Sequence, residues 1–209
     1  ILVELFAVDI RQIAPKADEL ILLLDEERQK RVRSYGSSRD ALRCLAAGLL
    51  LYDAFGERAR NAHFEHGKRG KPFLPDVSPF NLTHAGDYAV LALSKDTVGV
   101  DLEQIRSINW SRVSERFFHP NEQRFLEQSS DPQTMFFTIW TLKESYLKAL
   151  GHGFSVSPRS FCVLPEDSGA VLEGDSEFHF HSFSTFPGYC LSVCCREEEI
   201  ASNVVLKEF

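Results

Sequence analysis

Two acidic residues separated by a single position, Asp101 and Glu103, are the first groups in the sequence that could do chemistry. They belong to residues 97–103, a stretch that reads TVGVDLE and is typical of a β-strand. Because side chains alternate along a strand, both carboxylates share one face with Gly99, and three apolar residues take the other face. Two bare charges about 6–7 Å apart repel by about 2–3 kcal/mol at an effective dielectric of about 20, so a cation is expected between them. Gly99 leaves room on this face for a ligand or a second backbone.

The same stretch also has a plainer interpretation. Acidic residues on a surface strand are commonly solvated or paired with lysines. Residues 97–103 alone do not separate that arrangement from a metal site, so the choice depends on the rest of the chain.

A second set of charged groups lies on a long predicted helix. Asp131 is a suitable N-cap and Pro132 a suitable first residue, and the pattern continues to Gly151. At 100° per residue, Glu144 and Lys148 fall on one stripe, away from the main apolar side. The ordinary alternative is a surface ion pair between these two side chains, worth about 0.3 kcal/mol.

Several cationic groups could bind an anion. Arg43 lies off the apolar stripe of a predicted core helix over residues 42–53, so it can reach solvent or a ligand. His84 ends a predicted strand at a turn, where its ring could face an anion or simply be exposed. Lys71, in the glycine- and lysine-rich stretch 67–74, is held extended by the following proline, but the stretch lacks the P-loop pattern.

The overall composition indicates an ordinary soluble protein. The 209 residues are 44% hydrophobic and carry a net charge of −7, which argues against a general nucleic-acid binder. The sequence contains no apolar run long enough to cross a bilayer and no signal-peptide pattern at its start. The five cysteines form neither a Cys-x-x-Cys pair nor an even set, so they are expected to be reduced in the cytoplasm.

The predicted elements favour an α+β fold. Strands are expected at 80–84, 88–93 and 97–103, and short helices at 110–118 and 120–128. Further strands are expected at 160–164, 177–184 and 189–195. Both halves of the chain pass from helices into strands, which suggests a duplicated fold.

Four motifs together resemble, in order and spacing, the Sfp-type 4′-phosphopantetheinyl transferases. They are GKP at 70–72, NLTH at 81–84, GVDLE at 99–103 and WTLKESYLK at 140–148. The resemblance implies two similar α+β lobes related by pseudo-two-fold symmetry, each a small sheet packed on a long helix. Residues 1–96 would form the lobe that contributes to coenzyme A binding, and residues 97–209 the lobe with the metal site and the catalytic helix.

The resemblance also implies an activity. Such an enzyme transfers 4′-phosphopantetheine from coenzyme A to a serine hydroxyl of an apo acyl- or peptidyl-carrier protein and releases 3′,5′-ADP. It would depend on Mg²⁺, act as a cytoplasmic monomer, and have neither nucleic acid nor membrane as a partner.

Residue roles follow from the matching positions. The resemblance makes Asp101, Glu103 and Glu144 the Mg²⁺ ligands, and Lys148 the cation that neutralises the pyrophosphate. The general base would be Glu144 or Glu122, a choice that the sequence leaves open. Arg43 and His84 are expected to bind the 3′-phosphate of coenzyme A, with Lys30 as a helper. Residues 70–72, which include Lys71 and Pro72, are expected to hold the adenine. The other residues expected to contact coenzyme A are Thr83, Lys143 and Lys148.

Two other kinds of protein fit part of the pattern. A metal-dependent phosphodiesterase or nuclease could use three carboxylates and a lysine, but it would more often show histidine or aspartate clusters or a basic surface. A non-enzymatic α+β interaction module would explain the acids as surface pairs, and it would leave Trp140, His84 and Gly99 as coincidences.

Overall fold

A computed structural model describes residues 3–60, 65–66, 72–74, 77–151 and 156–209. Gly70 and Lys71, which were predicted to bind adenine, lie outside the described residues. Of Pro72, only its place in a short strand is described.

The helices and strands alternate in groups along the chain. The helices are α1 Ile10–Ile13, α2 Ala17–Leu20, α3 Glu26–Ser34, α4 Ser38–Phe55, α5 Glu57–Arg60, α6 Trp110–Phe117, α7 Pro120–Glu127 and α8 Pro132–Leu150. The strands are β1 Val3–Asp9, β2 Glu65–His66, β3 Pro72–Phe73, β4 Phe80–Ala85, β5 Tyr88–Leu93, β6 Val98–Gln104, β7 Val163–Glu166, β8 Gly169–Leu172, β9 His179–Phe183, β10 Tyr189–Cys195 and β11 Ile200–Leu206.

The long helix α8 begins and ends as the sequence predicts. The Asp131 side chain accepts a hydrogen bond from the Thr134 amide at 3.1 Å, and Pro132 occupies the first turn, where its missing N–H costs nothing. Gly151 ends the helix in a left-handed conformation with φ of 64°. These two ends fix the register that brings Glu144 and Lys148 to the site.

The first sheet has four strands in the order β11-β1-β5-β4, and helix α4 packs against it. Leu45 and Leu49 of the predicted apolar stripe are buried there beside Leu91 of β5. Strand β1 lies between β5, to which it is antiparallel, and β11, to which it is parallel.

The second sheet has the antiparallel order β6-β10-β9 and packs on helix α8. The predicted alternation of β6 is confirmed, since Val98, Val100 and Leu102 are buried in a core shared with β1 while Gly99 faces α8. A Cβ atom on Gly99 would come closer than 3.0 Å to the Ser145 carbonyl oxygen, a separation that real Cβ atoms essentially never show. Gly99 therefore admits a second backbone, one of the two uses that the sequence predicts.

The two sheets meet at strands β4 and β6, which are joined by side chains instead of a backbone ladder. Asn81 Oδ1 accepts a hydrogen bond from the Val100 amide at 2.8 Å, and Thr83 Oγ1 accepts one from the Leu102 amide at 3.2 Å. Both side chains are buried. The carboxylate-bearing strand is thereby fixed against the strand that ends at His84.

The predicted α+β class is confirmed, with each of the two sheets packed on a long helix. The pseudo-two-fold relation and the division after residue 96 stay predictions. Strand β11, which the sequence analysis did not identify, belongs to the first sheet although the predicted division assigns residues 97–209 to the second lobe.

The cysteines are free and buried, as expected for reduced thiols. Cys194 and Cys195 lie in different core clusters, on opposite faces of β10. Within the described ranges, no helix is both long and apolar enough to cross a membrane.

Candidate active site

Asp101 of β6 is the centre of a cluster of charged groups between the second sheet and α8. Its side chain is almost completely buried. Burial raises the pKa of Asp101 to about 6 against the opposing charge of Lys148, and the negative charges of Glu144 and Glu103 add to the rise. The three carboxylates that the sequence groups together therefore lie within electrostatic reach of one another.

Lys148 of α8 is the cation of this cluster. Its Nζ donates to Asp101 Oδ1 at 2.6 Å and to the Val100 carbonyl oxygen at 3.0 Å, and it lies 3.5 Å from Thr83 Oγ1. The ammonium group thus contacts β4 and β6 at the point where the two sheets meet. Only about a third of the Lys148 side chain is exposed, which keeps the pair with Asp101 partly shielded from water.

The second oxygen of Asp101, Oδ2, is buried and has no hydrogen-bond partner among the described residues. A buried carboxylate oxygen without a partner is costly in a folded protein, and it is typical of a group that a ligand satisfies. Glu144 is half-buried, and burial is the main reason that its pKa is raised, with Glu103 adding to the rise. Three carboxylate donors with one buried oxygen unsatisfied fit a hard divalent cation such as Mg²⁺.

Glu103 lies at the exposed side of the cluster. Its Oε2 accepts from Arg106 at 3.0 Å, and about a quarter of its side chain is accessible. It is more open to solvent than Asp101, and its pair with Arg106 is expected to be weak.

A group of cations lies next to the carboxylate cluster. Arg43 of α4 donates from Nε to the Gly86 carbonyl oxygen at 3.0 Å and from Nη1 to Asp40 at 2.7 Å. The His84 side chain is exposed as a whole, but loss of solvent around its ring lowers its pKa, and the charges of Arg43 and Lys148 lower it further. The predicted residues Arg43, His84 and Lys148 are therefore brought together, and an anion would relieve their mutual repulsion.

The turn that holds Arg43 is braced from the second sheet, which sequence reasoning missed. Gly86 has a φ of 53°, and the Tyr189 hydroxyl lies against it and accepts from the Asp87 amide at 3.0 Å. The glycine is visible in the sequence as a turn signal. Tyr189, about a hundred residues away, gives no sequence signal for this contact.

Glu122 and Lys143 form a buried ion pair instead of contributing to the cluster around Asp101. Lys143 Nζ donates to Glu122 Oε1 at 2.5 Å and to the Phe161 carbonyl oxygen at 2.8 Å. Glu122 also accepts from the amides of Val163 and His119, both at 2.7 Å. Burial lowers the pKa of Lys143 and raises the pKa of Glu122, each against the opposing effect of its partner.

The accessibility of this pair decides its role. The exposed fractions are 0% for Glu122 and 2% for Lys143, so neither group offers a surface that a substrate could reach. This burial favours a structural role for the pair, and the roles of Glu122 as a general base and of Lys143 as a coenzyme A contact stay predictions.

Two other residues that were predicted to contact coenzyme A, Lys30 and Thr83, have surroundings different from those of Arg43 and His84. Lys30 is exposed on α3, and the described contacts do not connect it with His84 or Lys148. Thr83 is buried, and its hydroxyl already serves the Leu102 amide and Lys148. Thr83 thus helps to position strand β6 and the ammonium group of Lys148.

Known protein families match most of the chain. Residues 97–194 match the 4′-phosphopantetheinyl transferase superfamily, and residues 13–96 match the family described as 4′-phosphopantetheinyl transferase, N-terminal. The matched ranges include every residue of the carboxylate cluster and of the adjacent cations.

Two individual relatives agree with this family assignment. The chain is 31% identical to the 4′-phosphopantetheinyl transferase gsp of Aneurinibacillus migulanus, over 88% of this chain and 81% of that protein. It is 28% identical to the 4′-phosphopantetheinyl transferase ffp of Bacillus subtilis, over 91% of this chain and 90% of that protein. The holo-(acyl-carrier-protein) synthase of Bacillus anthracis, solved in complex with CoA, overlaps 47% of this chain and 92% of its own at 23% identity and a TM-score of 0.39.

The matched families and relatives are transferases, and the chain is an enzyme of that class. It belongs to the 4′-phosphopantetheinyl transferase family. That the enzyme is a monomer, and that it is located in the cytoplasm, stay predictions.

Proposed function

We propose that this enzyme transfers the 4′-phosphopantetheine group from coenzyme A to a serine hydroxyl of an apo acyl- or peptidyl-carrier protein, with Mg²⁺ as cofactor and 3′,5′-ADP as the second product. The observation that carries the proposal is the state of Asp101. One of its oxygens is held by Lys148 at 2.6 Å, and the other is buried without a described partner. A carboxylate in this state is suited to binding a cation through its second oxygen.

The carboxylates would hold the metal. Asp101, Glu144 and Glu103 supply hard oxygen donors from one strand and one helix. When bound there, Mg²⁺ would supply positive charge to the phosphoryl oxygens on which negative charge develops. Lys148 holds one oxygen of Asp101, because its ammonium donates to Oδ1 at 2.6 Å.

The cations would bind the remaining phosphate charge of coenzyme A. The ammonium of Lys148 lies at the junction of the sheets and can neutralise the pyrophosphate as charge moves to the leaving oxygen. Arg43 and His84 are suited to the 3′-phosphate because charge-assisted hydrogen bonds to phosphate are strong and directional. Burial is the main cause of the lowered pKa of His84, and the repulsion from Arg43 and Lys148 that adds to it would become attraction once a phosphate lies between these groups.

Of the two candidates for the general base, Glu144 is the better placed. It is half-buried instead of enclosed, so a serine hydroxyl or a water molecule could reach it. It could accept the serine proton directly or through a water molecule. Glu122 has no accessible surface for this step.

A mass measurement tests the proposal. The protein is incubated with coenzyme A, Mg²⁺ and an apo carrier protein, and the carrier is expected to gain the mass of one phosphopantetheine group. Asp101→Asn and Glu144→Gln should each reduce this transfer by at least about a hundredfold, since each removes a charged donor from the cluster. Asp18→Asn, at an exposed position of α2, is the matched control and should transfer at the wild-type rate.

Two outcomes would oppose the proposal. One is transfer at a near wild-type rate by Asp101→Asn. The other is release of 3′,5′-ADP at the same rate with the carrier omitted, which would instead favour hydrolysis of coenzyme A by a phosphodiesterase.

A further inference from the structure

A second group of metal-binding side chains lies at the beginning of helix α7, and none of them belongs to the cluster around Asp101. His119 is the N-cap of α7, Cys162 immediately precedes β7, and Glu173 immediately follows β8. One ligand atom from each of the three residues lies within 4.8 Å of the other two. Three separate segments of the chain thus direct an imidazole, a thiol and a carboxylate to one point.

We propose that His119, Cys162 and Glu173 form a binding site for Zn²⁺ or a similar transition metal ion. Nitrogen, sulfur and carboxylate oxygen are the donors that Zn²⁺ takes in proteins, and three protein ligands with one water complete its usual four-coordinate shell. Mg²⁺ prefers oxygen donors alone, so the two sites would select different metals. Glu173 is exposed and leaves a path for the ion and its water, whereas only 3% of Cys162 is exposed.

Charged side chains lie close to Cys162. The carboxylates of Glu122 and Glu173 act on the thiol electrostatically, and the ammonium of Lys143, which is paired with Glu122, acts in the opposite sense. Glu173 is therefore the carboxylate whose charge an ion at this site would compensate, and Cys162 would bind the ion as the thiolate.

The backbone around the group is already ordered. The Glu173 amide donates to the Cys162 carbonyl oxygen at 3.0 Å, which closes the open end of the β7–β8 hairpin. The Asn121 side-chain amide donates to both carboxylate oxygens of Glu173, at 2.9 and 3.2 Å. Outer contacts of this kind orient metal ligands.

His119 would exchange one partner for another. Its Nδ1 accepts a 3.2 Å hydrogen bond from the Asn121 amide, as the cap of α7. Coordination through Nδ1 would displace the capping bond directly, and coordination through Nε2 would place the ring proton on Nδ1, which then could not accept. The ion would then tie the start of α7 to the hairpin in place of the capping bond.

Cobalt is a suitable probe because a thiolate bound to Co²⁺ gives a charge-transfer absorption that oxygen ligands do not give. The full-length, metal-free protein is titrated with Co²⁺ in the presence of excess Mg²⁺, which occupies sites made of oxygen donors alone. We expect one equivalent of Co²⁺ to produce the absorption, and Zn²⁺ to abolish it by displacement. Cys162→Ser should remove it, whereas Cys44→Ser, which changes a buried thiol on α4, should leave it unchanged.

Two further variants keep the test independent of folding defects. His119→Ser preserves a good N-cap but removes the imidazole, and Glu173→Gln changes an exposed position. Each should weaken Zn²⁺ binding, measured calorimetrically, by at least about tenfold. The proposal is overturned if the wild-type protein shows no thiolate absorption, if the absorption persists in Cys162→Ser, or if both of these variants bind Zn²⁺ as tightly as the wild type.

Discussion

Asp101 carries a buried carboxyl group, and its burial has a measurable effect on the pH dependence of stability. The pKa of this carboxyl is raised from about 3.8 in an unfolded chain to about 6 in the folded protein, mainly by burial. Between these two values the folded state binds more protons than the unfolded state. The contribution of Asp101 to stability is therefore fully present below about pH 4 and is lost as the pH rises through about 6.

We therefore expect Asp101→Asn to change the pH dependence of folding in the absence of divalent metal. In the wild type, Asp101 should lower the free energy of unfolding by about 2 kcal/mol between pH 4 and pH 7, since each unit of pKa shift corresponds to about 1.4 kcal/mol and part of the effect falls below pH 4. Asp101→Asn should lose this slope, and Asp18→Asn should keep it. Urea unfolding at several pH values measures the slopes, and an unchanged slope in Asp101→Asn would contradict the expectation.

Lys143 and Lys148 are five residues apart on one helix, yet their environments differ completely. The helical period correctly separates Lys148, which belongs with Glu144, from Lys143, at the edge of the apolar side. It does not reveal that Lys143 pairs with Glu122, because this partner comes from another helix. The sequence thus predicts which face a residue occupies, but not which distant group will meet it there.

The buried pair predicts a change in stability for Lys143→Met. This substitution leaves the carboxyl of Glu122 buried without its cation, which typically costs about 3–5 kcal/mol. Lys95→Met, at an exposed position, should cost about 0.5 kcal/mol or less. Urea unfolding provides the measurement.

A binding role for Lys143 would give a different result. If Lys143 contacts coenzyme A, Lys143→Met would raise the KM for coenzyme A at unchanged stability. That outcome would restore the role predicted from the sequence.

At the scale of elements, the close approach of β6 and α8 sets the geometry of the carboxylate cluster. Gly99 is a point of close approach, because the backbone of α8 occupies the space that a side chain there would need. Asp101 lies on the strand and Glu144 on the helix, so their separation depends on this packing distance. The sequence predicts the close approach through Gly99, but it does not distinguish a ligand from a backbone as the neighbour.

Gly99→Ala is expected to force the strand and the helix apart. Overpacking of this kind typically costs about 1–3 kcal/mol, and the backbone on both sides has little freedom to yield. Mg²⁺ binding, measured calorimetrically, should weaken together with stability because Asp101 and Glu144 move apart. Gly36→Ala is the matched control, since no atom lies within 4 Å of its new methyl group, and equal effects of the two substitutions would refute this account.

At the scale of the whole molecule, the two sheets are connected by the side chains of Asn81 and Thr83. The side-chain oxygens of Asn81 and Thr83 accept hydrogen bonds from two backbone amides of β6, although both residues belong to β4 of the other sheet. An unsatisfied buried amide costs about 1–3 kcal/mol, so the connection is energetically significant. The two sheets are expected to unfold as one cooperative unit.

The two tryptophans of the chain make this expectation testable. Trp110 and Trp140 both lie in one core cluster with α6, α7 and α8, so tryptophan fluorescence monitors that part of the molecule. Far-ultraviolet circular dichroism monitors both sheets. The two unfolding curves should coincide in the wild type, and Asn81→Leu should lower the midpoint by an amount equivalent to about 1–3 kcal/mol. Separate transitions in the wild type would mean that the sheets fold independently.

Much of this architecture was accessible from local patterns, and its long-range pairings were not. Helices α6, α7 and α8 and strands β4, β5 and β6 agree closely with the predicted ranges, because caps, prolines and apolar periodicity are local properties. Strand β11 has no such signal for its partner. Its pairing with β1 depends on which sheet edge is left open after the other strands have paired. That edge is determined by the tertiary structure and not by the local sequence.

The position of β11 has a consequence for biosynthesis. Strand β1 is made well before β11, and its buried residues Val3, Leu5 and Ala7 lie in a sheet in which β11 covers the edge of β1. During translation the first sheet therefore has an open apolar edge until residues 200–206 have left the ribosome, and this contact closes slowly because the two strands are far apart in sequence. Incomplete chains that lack β11 are expected to aggregate through this edge, so the yield of folded enzyme should depend on chaperones that bind the nascent chain until β11 emerges.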